Sequence, residues 1–407
     1  MSQLHDVIII GAGPGGTSAA SFLARKKIDV LLLDRAIFPR DKTCGDGLTP
    51  RCIAMLGEIG VLSEVEKVSH RINSARIFSP NGKYVKTTLE PRGNIPDYML
   101  VSPRYLLDEI LCRQAIKHGA HFEGDTQVID IQQHDSGVTV TAKQSQQEVR
   151  FEAKIAIIAT GASLGLLKKT GFIETIPAPI IAARAYYENV REISDSFDFH
   201  FDGVELPGYG WVFPLGGGRA NIGLGYMPVG KTEGKKSIKK MLKDFVERPA
   251  FHAMLSSANQ TTEFKSYPIR TDFSTAKTYH KRTILAGEAA GLVNPLTGEG
   301  IDYALESGKI AAQHVESWLK DSDFSDVRLA EYDQALRDKY QVLFDFCSKI
   351  VGCCLKPFTL NLMIFAATHS SDIRLSLTDI ILGNRAPATD PTAWNMVKKA
   401  IRALVKR

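Results

Sequence analysis

The 407-residue chain has little cysteine, little charge imbalance and no long apolar run, and each shortage removes a class of protein. Its six cysteines, Cys44, Cys52, Cys112, Cys347, Cys353 and Cys354, form no Cys-x-x-Cys pair and show no histidine spacing for zinc. A disulfide scaffold and a zinc module are set aside, and reduced thiols in a cytoplasmic setting are expected. Net charge is +5, with no long basic run interleaved with aromatics, so nucleic acid is not an expected partner. The most apolar stretch, Pro357 to Ala367, is shorter than the roughly 20 residues of a membrane span and carries Thr359 and Asn361. A core helix, or the wall of an apolar cavity, is expected there. A secretory leader is not expected, because the first apolar run lacks a basic flank and ends in a glycine turn.

That turn is the most informative feature present. Val7 to Ile10 read as a buried parallel strand, followed by Gly11-Ala12-Gly13-Pro14-Gly15-Gly16 and a helix over Thr17 to Lys26. Gly11 makes the tight turn, Gly13 lets backbone approach a pyrophosphate, and Gly16 lets the helix pack closely on the strand. The helix start offers free N–H groups to phosphate. A second strand, Ile28 to Leu33, delivers Asp34 to a ribose hydroxyl. Dinucleotide binding follows, the alternative being a glycine turn in some other α/β protein.

Downstream, the Pro80-Asn81-Gly82 turn predicts a hairpin over 75–79 and 84–89. Ser102-Pro103-Arg104 opens a helix to about His118, a hairpin covers 127–133 and 137–142, and 149–158 returns to the parallel sheet. From 178 to 267 the chain is β-rich, with Phe197, Phe199 and Phe201 at alternate positions. Arg282 to Glu288 reads as a strand ending in a Gly-acid pair, and 300–320 and most of 326–407 as helices. The expected units are interleaved: 1–72, 100–177 and 268–320 in a cofactor domain, 73–99 and 178–267 in a β-rich substrate domain, and 321–407 in a C-terminal helical region.

Three stretches then resemble the geranylgeranyl reductase group of FAD-dependent enzymes, within the hydroxylase-like flavoprotein superfamily. They are Asp34-Arg35 through Lys42-Thr43-Cys44-Gly45-Asp46-Gly47-Leu48-Thr49-Pro50, the Tyr-x-Trp-x-Phe-Pro box in Pro207 to Pro214, and Gly287-Glu288 through Asn294-Pro295 to Gly298-Glu299-Gly300-Ile301. With the opening fingerprint they bracket the chain to about residue 318. The resemblance implies an α/β fold: a Rossmann-like FAD-binding domain interleaved with an antiparallel-sheet substrate domain, plus C-terminal helices. It departs at Glu288, where the family usually has Asp, and at Thr160-Gly161, where the hydroxylase branch carries Asp-Gly. The second departure weighs against hydroxylase-style use of NADPH.

By that resemblance, Gly11, Gly13, Gly15, Gly16, Asp34, Arg35, Cys44, Gly45, Arg104, Gly287, Glu288, Pro295, Gly298, Gly300 and Ile301 hold FAD. Arg104 is otherwise a surface arginine. A helix starting near Gly298 to Ile301 would aim backbone N–H groups at the reduced flavin. No second glycine fingerprint opens a strand–helix unit, so electrons arrive from NAD(P)H visiting the flavin or from a ferredoxin. Tyr209, Trp211 and Phe213 share one strand face, with Pro214 beside them, and read as substrate contacts or as plain core. Cys44, Tyr209 and Trp211 are the catalytic candidates, Cys44 as proton donor or as an orienting contact.

The implied reaction is reduction of isolated C=C bonds in a prenyl chain, on a hydrophobic isoprenoid or aromatic partner. The alternatives are a flavin monooxygenase hydroxylating an aromatic, a flavin-dependent halogenase, and a non-catalytic FAD-binding partner. Trp394, Val397, Ile401 and Leu404 fall at helical spacing, with Lys398, Lys399, Arg402 and Lys406 largely off that stripe. This tail either docks peripherally on the inner membrane face or packs on its own domain.

Overall fold

The architecture is read from a computed structural model that describes residues 4–90, 96–228 and 236–381. Its central strand, Leu4–Ile10, is buried on both faces from Val7 to Ile10, as a strand flanked in parallel requires. Val30–Leu33 lies on one side and Gln147–Ile158 on the other, followed by Thr283–Leu285. Register pairs Ile10 with Leu33 and Ile158, and Ile158 with Leu285. The four strands therefore end level, and Gly11, Asp34, Ala159 and Ala286 leave the sheet along one edge. In open α/β sheets, ligands bind at that carboxyl edge. His121–Glu123 extends the sheet, and the hairpin Thr126–Gln133 and Val138–Gln144 pairs antiparallel on Gln147–Ile158.

The helix after the glycine turn spans Pro14–Ala24, earlier than the 17–26 expected, because Pro14 suits the first helical position. It is sandwiched between the sheet and the helix Ile301–Asp321. A Cβ on Gly308 would lie 2.3 Å from the Gly15 carbonyl, and Ser18 Oγ donates to the Leu305 carbonyl at 2.6 Å. The strand expected over 282–288 is shorter, Thr283–Leu285. Gly287, at φ +62°, turns the chain into a 3₁₀ turn over Gly287–Ala290.

A second sheet, antiparallel except where Phe197–His200 runs parallel to Ser74–Phe78, and so mixed where the sequence predicts a purely antiparallel one, has the order Asn259–Gln260, Ile180–Glu188, Arg219–Tyr226, Gly208–Gly216, Phe197–His200, Ser74–Phe78 and Tyr84–Thr88. Lys265–Ile269 also pairs with Ile180–Glu188. A small third sheet joins Gly47–Leu48, Met99–Val101 and His70–Ile72. Three helices follow the helix Ile301–Asp321: Asp326–Cys354, Pro357–His369 and Ser371–Ile381. Pro357–His369 packs Ile364 and Ala367 against Ile77 and Val85 of the second sheet. Among the described residues no single helix is long and apolar enough to cross a membrane. The basic tail over 394–407 lies outside the described residues.

Candidate active site

Between the carboxyl edge of the parallel sheet and one face of the second sheet lies a cavity of about 650 Å³. Its two walls differ in kind. The first is largely backbone: Gly11, Gly13, Gly15, Gly287, Gly298 and Gly300 all line it. Gly11 has φ +106°, and a Cβ there would meet the Ala159 carbonyl oxygen at 2.4 Å. Gly16 does not line the cavity. Its Cβ would fall 1.8 Å from the Gly11 carbonyl oxygen, which is the close helix–strand contact expected of it.

Asp34 stands at this rim, buried, its two oxygens accepting the Ala12 and Ala36 N–H groups at 2.8 and 2.9 Å. Each oxygen keeps a lone pair for a ribose hydroxyl. Exposed Arg35 lies beside it on the wall. Glu288 accepts from Lys42 Nζ at 3.1 Å and from the Arg270 N–H at 3.3 Å, so its longer side chain is anchored on both sides. Arg104 is no surface arginine. It is buried, with Nε and Nη2 both 2.7 Å from Asp108. Pro295 and Ile301 complete this side.

The opposite wall is made of side chains. Tyr209, Trp211 and Phe213 share one face of Gly208–Gly216 and meet Phe197 and Phe199, with Phe197 and Phe213 ring centroids 4.4 Å apart. The contact expected of Pro214 is not met, because strand alternation puts it on the opposite face with Val212. Trp211 Nε1 donates to Asn221 Oδ1 at 2.9 Å, and the Tyr209 hydroxyl donates to the Thr297 carbonyl. Burial pushes the Tyr209 phenol up, so its proton stays in that bond.

The loop over Cys44 to Gly47 joins the two walls. Asn221 Nδ2 donates to the Cys44 carbonyl and to Asp46 Oδ2, each at 2.8 Å, while its oxygen holds Trp211. Tyr186 donates its hydroxyl to the same Asp46 oxygen at 2.6 Å. Burial raises Asp46 to about 6 against those bonds. Cys44 receives the Asp46 N–H on Sγ at 3.4 Å, and burial raises its thiol, which is protonated at neutral pH. At Gly45 a Cβ would lie 3.2 Å from the Phe213 ring, which would have to give by a few tenths of an ångström.

Sequence reasoning passed over Asn221, Tyr186 and Lys42. Asn221 carried one signal, an amide in a run otherwise patterned as buried strand. The expectation of open N–H groups at the helix start also changes. Glu299 Oε1 accepts the Ile301 and Asp302 N–H groups, and Asp302 Oδ1 accepts that of Tyr303. Helix N-termini bind their own carboxylates for the reason they bind anions. Gly300 keeps the first-turn N–H without an acceptor among the described residues.

The FAD binding domain family matches residues 5–337. This chain belongs to that family. It is an FAD-dependent oxidoreductase, similar over most of its length to proteins named as reductases. A menaquinone reductase of Mycolicibacterium smegmatis is 34% identical over 78% of this chain and 78% of its own. A digeranylgeranylglycerophospholipid reductase of Methanocella arvoryzae is 30% identical over 83% and 84%. Among solved structures, a geranylgeranyl bacteriochlorophyll reductase-like protein of Thermoplasma acidophilum superposes with a TM-score of 0.80. It is 22% identical and covers 98% of this chain and 99% of its own, so it shows the shared fold. The geranylgeranyl reductase resemblance of the three motifs thus holds for the oxidoreductase, whose backbone wall fits FAD: a glycine cradle, closed to a Cβ at Gly11, that ends at a buried carboxylate.

Proposed function

We propose that the oxidoreductase reduces isolated C=C bonds of a prenyl chain of the geranylgeranyl type. The observation that carries this reading is the pairing of a glycine wall that fits FAD with a facing wall of aromatic rings. The names of the menaquinone and digeranylgeranylglycerophospholipid reductases support it. FAD bound along the glycine wall supplies the hydride.

The remaining demands fall on the protein. No carbonyl polarises an isolated alkene, so positive charge builds at its more substituted carbon as a proton and a hydride add. The ring faces of Tyr209 and Trp211 stabilise that charge. Their polar hydrogens are committed to Thr297 and Asn221, which holds the ring planes in place. The apolar lining excludes water that would capture the cation. Cys44 brings a protonated thiol to the same wall and orients the alkene. Asp34, Arg35, Glu288 and the glycines are assigned to FAD, with electrons drawn from NAD(P)H or a ferredoxin. A prenyl lipid as substrate implies peripheral contact with a membrane.

The test is anaerobic. Photoreduce the bound FAD, add geranylgeranyl diphosphate or a menaquinone, and follow flavin absorbance and lipid mass. Reoxidation with gain of two hydrogens in the lipid supports the proposal. Flavin that stays reduced until air is admitted moves the assignment to a monooxygenase acting on an aromatic.

A further inference from the structure

One carboxyl on the cavity wall has no part in the scheme above. Glu299 precedes the helix Ile301–Asp321, and its Oε1 accepts two backbone N–H groups, from Ile301 at 2.8 Å and Asp302 at 3.3 Å. Its Oε2 has no hydrogen-bond partner among the described residues and is not sealed from the cavity. No cation pairs with it in the described ion pairs.

Burial raises its acidic neighbour, Asp302, as well, but Asp302 has the partners that support an anion. Arg51 Nη1 lies 3.7 Å from Asp302 Oδ2, Thr49 donates to that oxygen at 3.4 Å, and the Tyr303 N–H reaches Oδ1 at 2.7 Å. Glu306 is held by Arg51, Lys339 and Tyr340. The other titratable groups facing this corner are the Cys44 and Cys52 thiols, the Tyr209 and Tyr303 phenols and Arg104, and Arg51 also favours the charged form of Glu299, against burial and Asp302. Of the acid pair, Glu299 is therefore the member that keeps a proton. Burial, followed by repulsion from Asp302, holds it well above the usual carboxylate range. With two N–H groups fixed on Oε1, that oxygen is the carbonyl of the neutral acid, and the proton sits on Oε2 facing the cavity.

We propose that Glu299 is the proton donor of the prenyl reduction, transferring the Oε2 hydrogen to the less substituted carbon of the alkene. The inference rests on the prenyl reading. The Glu299 O–H bond breaks and a C–H bond forms. The second C–H bond forms at the more substituted carbon with a hydride, and so with both electrons, that reduced FAD bound along the glycine wall would supply. Glu299 is left as a carboxylate, held by the same two N–H groups and the positive helix end, and solvent reprotonates it. General acids of this kind contribute about 10²- to 10⁴-fold to rate.

The experiment compares wild type, Glu299→Gln and Glu299→Asp as FAD-loaded protein. Gln keeps the acceptor for both N–H groups and carries no acidic proton. Two readouts are taken: the carboxylic-acid carbonyl band in the infrared at pH 7, and anaerobic flavin reoxidation by geranylgeranyl diphosphate or a menaquinone. Expected are a band in wild type that Gln removes, unchanged flavin absorbance, reoxidation slowed about 10²-fold or more by Gln, and partial recovery with Asp. The proposal is overturned if wild type lacks the band, if Gln reoxidises within about threefold of wild type, or if Asp is no faster than Gln. A wild-type flavin that neither lipid reoxidises, with the band present, overturns the prenyl reading while leaving the protonated Glu299 standing.

Discussion

The two walls of the cavity are built from different materials. On the cofactor side the surface is peptide backbone, exposed because Gly11, Gly13 and Gly15 carry no side chain. On the facing side it is aromatic rings, of which Trp211 and Tyr209 are held at their polar ends by Asn221 and the Thr297 carbonyl. The backbone wall is least tolerant at its turn, where a Cβ on Gly11 would meet the Ala159 carbonyl oxygen at 2.4 Å and one on Gly16 behind it the Gly11 carbonyl oxygen at 1.8 Å. A ring wall can be re-cut one side chain at a time. One side is suited to a fixed cofactor and the other to a substrate that changes among relatives.

Four substitutions sharpen or break this contrast. Gly16→Ala has the largest expected effect. Its Cβ would sit 1.8 Å from the Gly11 carbonyl oxygen, so purified protein should lack flavin absorbance or fail to accumulate in soluble form. Phe213→Ala should cost about 3 kcal/mol by denaturant unfolding, the low end for a phenylalanine truncation, since one side already faces the cavity. It should keep its FAD, and a loss of flavin would mean that the walls are not separable.

Asp46→Asn probes the loop between the walls through pH. The folded-state value of Asp46 is raised to about 6, so its support of the native state is complete below about pH 4 and is lost as pH climbs through 6. The amide mimics the neutral acid at every pH. The variant should therefore gain about 2–3 kcal/mol on wild type between pH 4 and 7, and parallel curves in unfolding titrations would refute the shift. Tyr209→Phe is the smallest: losing the bond to the Thr297 carbonyl should lower stability by about 1 kcal/mol. Its FAD content should be unchanged, and prenyl-driven reoxidation is the readout for ring placement.

Much of the cofactor wall was legible because its rules are local. The Gly11 to Gly16 spacing, the apolar run before it and Asp34 after the next strand act over some thirty residues. Strand alternation likewise put Tyr209, Trp211 and Phe213 on one face, while the same alternation removed Pro214 from it. Glu299 was within local reach, an acid two residues before a helix start, where its carboxyl caps the Ile301 and Asp302 N–H groups that the flanking glycines alone would leave open.

By itself the sequence determined the strand–turn–helix, the closed glycine positions and the aromatic face, since each depends on φ, on Cβ sterics or on a period of two. Tertiary structure alone decided which of these meet. Asn221 ties Trp211 to a loop 175 residues earlier in the chain at Asp46. Arg104 spends its guanidinium on buried Asp108. The proton on Glu299 follows from burial beside Asp302, whose own charge is steadied by Arg51 from another helix. Desolvation and charge proximity are properties of packed space, and no spacing along the chain encodes them.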